Sequence, residues 1–307
     1  MQKVSIIGFE DWKIYEGFAE GSGRGEKIWL CSDTGEIGLF KFPKIDPAAM
    51  SITTEYISEH MAYQIGQIIG VETARVDIGV RNQRIGCMSY LLNKPEETIA
   101  EGALFITGNH PDYDTELMIE TGSGMHYCLE HLFQACENAE ERYKMIQMML
   151  FDFLIGNSDR HQNNWAMLVG YSDQYKQCMT RRFCPLYDNG SSLCSYVTAA
   201  QAKELIGNDR TRFEATVDTK SRSMIRIHGS DKKRPTHREM VAYLLDTYPE
   251  TRNIAVFITD KLSQVLIDDI VDMYTEVLES EKIELLKRFL NRKIEILKEL
   301  CNKRGEG

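Results

Sequence analysis

Residues 145–165 read MIQMMLFDFLIGNSDRHQNNW, an apolar run that gives way at Gly156 to eight consecutive polar residues, Asn157–Asn164. The run belongs to a predicted amphipathic helix over Ala139–Leu154, with Tyr143, Ile146, Leu150 and Phe153 on one stripe. A helix with such a stripe has to lie on a core, so the polar stretch begins where buried structure ends. Asn, Ser and Asp are ordinary turn residues, and a surface turn is the plain reading. Chemistry follows only if partners for Asp159, His161 and Asn164 stand elsewhere in the chain.

Composition leaves room for them. The 307 residues are 43% hydrophobic and 27% charged, enough for a sizeable core and about two domains or lobes. No apolar run approaches the roughly 18 residues that cross a bilayer. The N-terminal MQKVSIIGFEDWK does not read as a secretory signal. Eight cysteines without a C-x-x-C pair read as the reduced thiols of a cytoplasmic protein. The net charge of −10 argues against nucleic acid as the main ligand, and nothing points to a membrane.

Residues 1–92 are predicted to be strand-rich. Glu26–Ser32 and Ile37–Phe42 form a hairpin about Asp33–Gly35. Ser51–Gly70 is a helix capped by Ser51, Thr53 or Thr54, and Ala74–Val80 and Ile85–Leu92 are strands joined by Arg81–Arg84. Residues 93–307 read as mostly helical. Helices are expected at Met125–Cys136, Ala139–Leu154, Ala199–Ile206, Arg238–Asp246 and most of Asp260–Lys303, with short strands at Trp165–Val169 and Phe183–Leu186. Asp209–Arg238, with nine Lys/Arg against four Asp/Glu, is predicted to be a mobile loop that contacts an acidic substrate or phosphate, or is simply solvated.

Four features follow one another along the chain. EGFAEGSGRGEK carries Gly21, Gly23 and Gly25 just before a strand, where residues without Cβ let backbone N–H groups approach phosphate oxygens. Lys41, in LFKFP, alternates with Phe40 and Phe42 and so points away from the core they face, toward a phosphate; Lys44 is the runner-up. Glu59, or Glu55, on the following helix is placed to pair with that lysine. Asp159 and Asn164 stand five residues apart, as do the nucleophile-orienting Asp and metal-binding Asn of a kinase catalytic loop. Finally PLYDNG offers Asp188, 24 residues after Asn164, to bridge a metal ion and phosphates.

Asp-Arg-His-x-x-Asn at 159–164 resembles the catalytic loop of phosphatidylinositol kinases and their protein-kinase relatives. The longer FDFLIGNSDRHQNNW, PLYDNG and the KFP around Lys41 look more like the HipA-like bacterial serine/threonine kinases, which include the HipA toxins and shorter CtkA-type kinases. That resemblance implies an α+β, two-lobed, protein-kinase-like fold. It divides the chain into a sheet-plus-helix N-lobe (1–92) and a helical C-lobe (93–307). It also implies ATP with Mg²⁺ and phosphorylation of protein Ser/Thr. Asp159 becomes the catalytic Asp, Asn164 and Asp188 the metal ligands, and Lys41 the phosphate-binding Lys. His161 is expected to hold the loop in shape through a backbone carbonyl or Asp188. Adenine is placed against Ser89, Tyr90 and Leu91. One departure is Asn189 in place of the Phe of Asp-Phe-Gly, which leaves the metal-binding Asp intact. Ser22 is the hydroxyl inside the glycine-rich loop that self-phosphorylation would use. Partners implied are a protein substrate, which includes the chain itself, and an antitoxin. The alternatives are a small-molecule or lipid phosphotransferase of the same fold, and a catalytically dead nucleotide-binding module.

Overall fold

A computed structural model describes residues 2–17, 25–46, 51–171, 179–207 and 209–302. The first elements are β1 (Ile7–Gly8), β2 (Lys13–Ile14), β3 (Lys27–Cys31), β4 (Ile37–Lys41), β5 (Ile45–Asp46), β6 (Ser51–Ile52), α1 (Glu55–Ile69), β7 (Val76–Arg81) and β8 (Arg84–Tyr90). There follow β9 (Glu97–Glu101), α2 (Gly102–Asn109), β10 (Tyr113–Asp114), β11 (Ile119–Glu120), α3 (Leu129–Gln134), α4 (Ala139–Ile155), β12 (Ala166–Tyr171) and β13 (Met179–Phe183). The chain ends in α5 (Ala199–Ile206), α6 (Arg210–Glu214), a π turn at Ala215–Thr219, α7 (His237–Thr247), α8 (Glu250–Lys261), α9 (Gln264–Asp272) and α10 (Ser280–Asn302). Two compact units result. The first comprises Met1–Leu91, Asp188–Phe213 and Leu262–Asn291; the second comprises Leu92–Tyr187, Glu214–Lys261 and Arg292–Gly307.

In the first unit a six-stranded sheet runs β1-β7-β8-β4-β3-β2, antiparallel except where β1 lies along β7. Alternation along β4 sends Phe40 into a fully buried cluster with Phe9, Leu30 and Met88, and Lys41 the other way. Phe42 packs on the edge of that cluster, 5.0 Å ring to ring from Phe40. On β7 and β8 lies α1, burying Ile57, Met61 and Ile65, and Gly70 at φ 66° ends it in a left-handed cap. Between β7 and β8, Asn82 and Gln83 both take positive φ, the conformation a two-residue hairpin turn requires.

That helix starts later than the predicted Ser51. Ser51–Ile52 pair with Ile45–Asp46 as a small ladder, and the Thr53 N–H is taken by the Lys44 carbonyl. Thr54 occupies the cap position, but its hydroxyl bonds the Ser195 carbonyl rather than the helix.

In the second unit α4 is buried from Met145 to Ile155 and packs on α7 and α8. Asn138 caps its start by accepting from the Glu141 N–H, and Gly156 at φ 69° terminates it. Ile146, Leu150 and Phe153 are buried as predicted, whereas Tyr143 is exposed, because only the later turns of the helix are surrounded. After the polar stretch, β12 and β13 join the earlier β9 in a three-stranded sheet, β13-β12-β9. Gly102 is required there, since a Cβ would come within 2.2 Å of the Trp165 ring.

Other expectations shift for local reasons. Met125–Cys136 shortens to α3, because residues 126–128 are drawn into backbone pairing with Met118, Gly229 and Arg226. The strand expected at Phe183–Leu186 lies instead at Met179–Phe183, where no proline interrupts the ladder to β12. The C-terminal helical stretch is broken between α9 and α10, and α8 was not foreseen. Among the described residues of Asp209–Arg238, a mobile loop is not what forms. Val217, Ser221, Ser223 and Ile225 are buried, and the Ser223 and His237 N–H groups are bonded to the Pro235 and Ser221 carbonyls. No helix of the described residues is long and apolar enough to cross a membrane.

Candidate active site

The first unit assembles three charges. The Lys41 ammonium lies 2.7 Å from Glu59 Oε1 and 2.9 Å from Asp188 Oδ1. Burial opposes its charge, but the Asp188 and Glu59 carboxylates outweigh that and hold its pKa well above the ordinary lysine value. Glu59, on the buried face of α1, uses its second oxygen to accept the Asn189 N–H at 3.0 Å. One carboxylate thus fixes both the lysine and the backbone beside Asp188. Asp188 takes φ 56°, which aspartate tolerates better than most residues, and its side chain stays 49% exposed. Lys44, the runner-up, is spent elsewhere, on Glu55 at 2.9 Å and the Tyr196 hydroxyl at 3.2 Å.

The second unit shapes the loop that carries Asp159. Arg160 is 1% exposed and spreads its guanidinium over three acceptors. It forks onto Asp152 of α4 at 2.8–3.2 Å and donates to the Asn164 and Tyr187 carbonyls at 2.7 and 2.8 Å. Asn157 continues the framework: its amide donates to Asp152 and its Oδ1 accepts the Asp159 N–H. The Asn164 side chain donates its N–H to the Asp159 carbonyl at 2.7 Å, closing the loop on itself. His161 Nδ1 accepts from the Asn163 N–H at 3.2 Å. Nδ1 therefore meets a backbone donor, where a backbone carbonyl or Asp188 is expected from the sequence.

Beneath the loop runs a second buried chain. His237 Nε2 donates to the Asn157 carbonyl at 2.9 Å, its Nδ1 meets the Ser221 hydroxyl at 2.9 Å, and the Lys293 ammonium donates to that hydroxyl at 3.0 Å. Burial, with the Lys293 charge adding to it, pushes the His237 pKa down to about 3.

Sequence reasoning missed Asp152, Asn157, the bond from the Asn189 N–H to Glu59, and this chain. Asp152 alone left a signal, as one carboxylate inside FDFLI. Of the nucleotide-side expectations, Gly21, Ser22 and Gly23 lie outside the described residues, and Gly25 begins the approach to β3. Ser89 and Tyr90 lie in β8, with Leu91 just after it. The Tyr90 and Leu91 N–H groups are already bonded to the Arg75 and Ile37 carbonyls.

Asp188 in the first unit offers a carboxylate, and Asn164 in the second has its amide nitrogen on the Asp159 carbonyl; oxygens of these two kinds are hard donors. Residues 20–251 match the HipA-like C-terminal domain. The chain belongs to that family. Among solved structures this HipA-like chain is similar to the proinflammatory kinase CtkA of Helicobacter pylori. That match has a TM-score of 0.78 at 19% identity over 98% of this chain and 100% of that one. It is also similar to HipA of Shewanella oneidensis MR-1, solved with HipB and operator DNA, at a TM-score of 0.52 and 16% identity. There it covers 97% of this chain and 65% of the HipA chain. At such identities the likeness is one of fold, and the fold is a mixed α+β, kinase-like one. No curated protein matches the chain.

Proposed function

We propose that the chain is an ATP- and Mg²⁺-dependent kinase that phosphorylates serine or threonine of a protein. The observation that carries this reading is Lys41 clamped between Glu59 and Asp188, on a chain that also builds a rigid Asp159–Asn164 loop. Phosphoryl transfer asks a protein for positioning and charge stabilisation more than for covalent chemistry. Lys41 supplies a fixed positive charge for nucleotide phosphates, and Glu59 keeps it aimed. Asp188 and the Asn164 amide oxygen would hold Mg²⁺, which when bound neutralises charge building on the phosphates. Asp159, part-exposed on its loop, accepts a hydrogen bond from the substrate hydroxyl and takes its proton late. His161 and Arg160 shape the loop.

The test is transfer of label from ATP to lysate proteins in the presence of Mg²⁺. Asp159→Ala and Asp188→Ala should each cut transfer at least about a hundredfold, the scale of a lost transition-state charge contact. Near-normal rates in either variant would refute the assignment. Label appearing only in small metabolites would move the acceptor to an alcohol of low mass, and tight ATP binding without transfer would leave a binding module. Mass spectrometry of the labelled chain reads whether Ser22 is a self-modification site. Co-purification tests whether a HipB-like protein is its partner.

A further inference from the structure

Away from that machinery, in the second unit, three metal-ligating side chains converge from three elements. His110 closes the C-terminus of α2, Glu120 ends β11, and His131 stands in α3. His110 Nδ1 lies 2.6 Å from Glu120 Oε1, and His131 Nε2 lies 3.2 Å from the same oxygen. All three candidate donor atoms are within 4.8 Å of one another. We propose that His110, Glu120 and His131 bind one divalent transition-metal ion, zinc by the chemistry of the donors, which pins the β10–β11 hairpin to α2 and α3.

Both separations to Glu120 suit such an ion. Zinc bonds of about 2.0–2.1 Å in a tetrahedron set neighbouring donors roughly 3.3 Å apart. The His131–Glu120 separation already has that value, and the His110–Glu120 separation needs to open by less than about 1 Å. Two imidazoles and one carboxylate select a borderline ion; magnesium and calcium take oxygen. The surroundings resemble an outer ligand shell. Ser123 Oγ donates to the second Glu120 oxygen at 2.5 Å, and Cys128 Sγ lies 3.4 Å from His131 Nδ1. The cluster is closed in, with His131 fully buried and Glu120 7% exposed.

A second observation is that polar atoms on residues of and beside this cluster lack protein partners among the described residues. Tyr113, paired with Glu120 across the β10–β11 ladder, lies with its ring 5.0 Å from that of His131 and tilted 60° to it. Among the described residues its hydroxyl is buried without a hydrogen-bond partner, and so is His110 Nε2. Native interiors seldom leave such atoms bare unless a water or ion completes them.

The competing arrangement is two neutral rings donating to one carboxylate, and the His131 tautomer separates the two. The Cys128 N–H now points at His131 Nδ1 at 3.2 Å, which puts the ring proton on Nε2, toward Glu120. A metal on Nε2 would drive that proton to Nδ1, with Cys128 Sγ as its nearest acceptor.

The experiment titrates the full chain, stripped by chelator, with Zn²⁺ by calorimetry and with Co²⁺ by visible spectroscopy. One ion per chain is expected, with the d–d bands of a four- or five-coordinate cobalt, a raised Tm, and a ring-nitrogen spectrum in which His131 passes from Nε2–H to Nδ1–H. His110→Gln and Glu120→Gln should each weaken binding at least about a hundredfold, beyond what outer-shell changes cost. Asp188→Asn should leave it unchanged, which separates this ion from any held with nucleotide. Absence of stoichiometric binding, equal binding in His110→Gln, or an unmoved His131 tautomer would overturn the proposal. The cobalt spectrum and the tautomer are read on the unmutated chain, so a variant that fails to fold does not blunt the test.

Discussion

In the first unit Glu59 is buried, but solvent still reaches the Lys41–Asp188 pair, with 22% of the lysine side chain and 49% of the aspartate exposed. In the second unit Asp159 and Asn164 are placed by neighbours at the opposite extreme, Asp152 at 3% and Arg160 at 1% exposure. The first arrangement suits groups that must exchange one another for a charged ligand. Ion pairs in partly wet surroundings are individually weak and can be remade. The second suits a loop whose shape must not vary. A buried charge pair is worth little against apolar residues of the same size, but it tolerates no loss of one member. Chemistry and scaffold are thus held by different interactions, and substitution should separate them.

The largest effect is expected at Arg160→Met. It strands the Asp152 carboxylate and frees two loop carbonyls, so urea denaturation should show about 3–5 kcal/mol of lost stability. The double variant Asp152→Leu with Arg160→Met should regain part of that, because no charge remains buried alone. Equal losses in the single and double variants would mean that the loop carbonyls, not the charge, dominate.

Glu59→Gln should do less to the fold and more to activity. It weakens one charged hydrogen bond at Asn189 and removes the countercharge at Lys41, for about 1.5–3 kcal/mol of stability. If Glu59 aims the lysine, ATP affinity and turnover should both fall in this variant while the circular dichroism spectrum is unchanged. Unaltered nucleotide binding would show that Asp188 alone suffices to place Lys41.

A third effect shows only as a pH dependence, and it compares one histidine from each unit. Burial lowers His60 to about 4 in the first unit and His237 to about 3 in the second, against an unfolded value near 6.5. Below pH 6.5 the unfolded chain takes up protons that the folded chain refuses. The contribution is therefore complete above that pH and lost as pH falls toward 4 and 3. Each histidine adds up to about 1.4 kcal/mol per pH unit to the slope. Denaturation midpoints between pH 7 and 4 should flatten by one proton's worth in His237→Gln. An unchanged slope would mean that His237 is protonated in the folded chain.

Much of the fold can be read from local pattern. The hairpin at Asp33–Gly35, the strands around Asn82–Gln83, α5 and most of α4 follow from turn residues and apolar spacing. What misled was pairing by non-neighbours. Ser51–Ile52 are as compatible with a helix as the residues after them until Ile45–Asp46 take their backbone groups. The basic stretch 209–238 reads as loop because its buried residues, Val217, Ser221 and Ile225, are scattered singly among charges. Their packing partners come from distant segments and leave no period in the sequence.

The sequence by itself determined the chemical inventory: Lys41, Asp159, Asn164 and Asp188 in an order and spacing that a kinase-like chain requires. It determined too that Phe40 and Lys41 face opposite ways, since strand geometry alternates whatever surrounds it. Only the tertiary structure decided that Lys41 and not Lys44 meets Asp188, that Glu59 and not Glu55 anchors it, and that Asp152 grips Arg160. It alone brought His110, Glu120 and His131 together. Local geometry fixes which way a side chain points, whereas the choice among like-charged candidates is made by burial and distance, which exist only once remote segments have met.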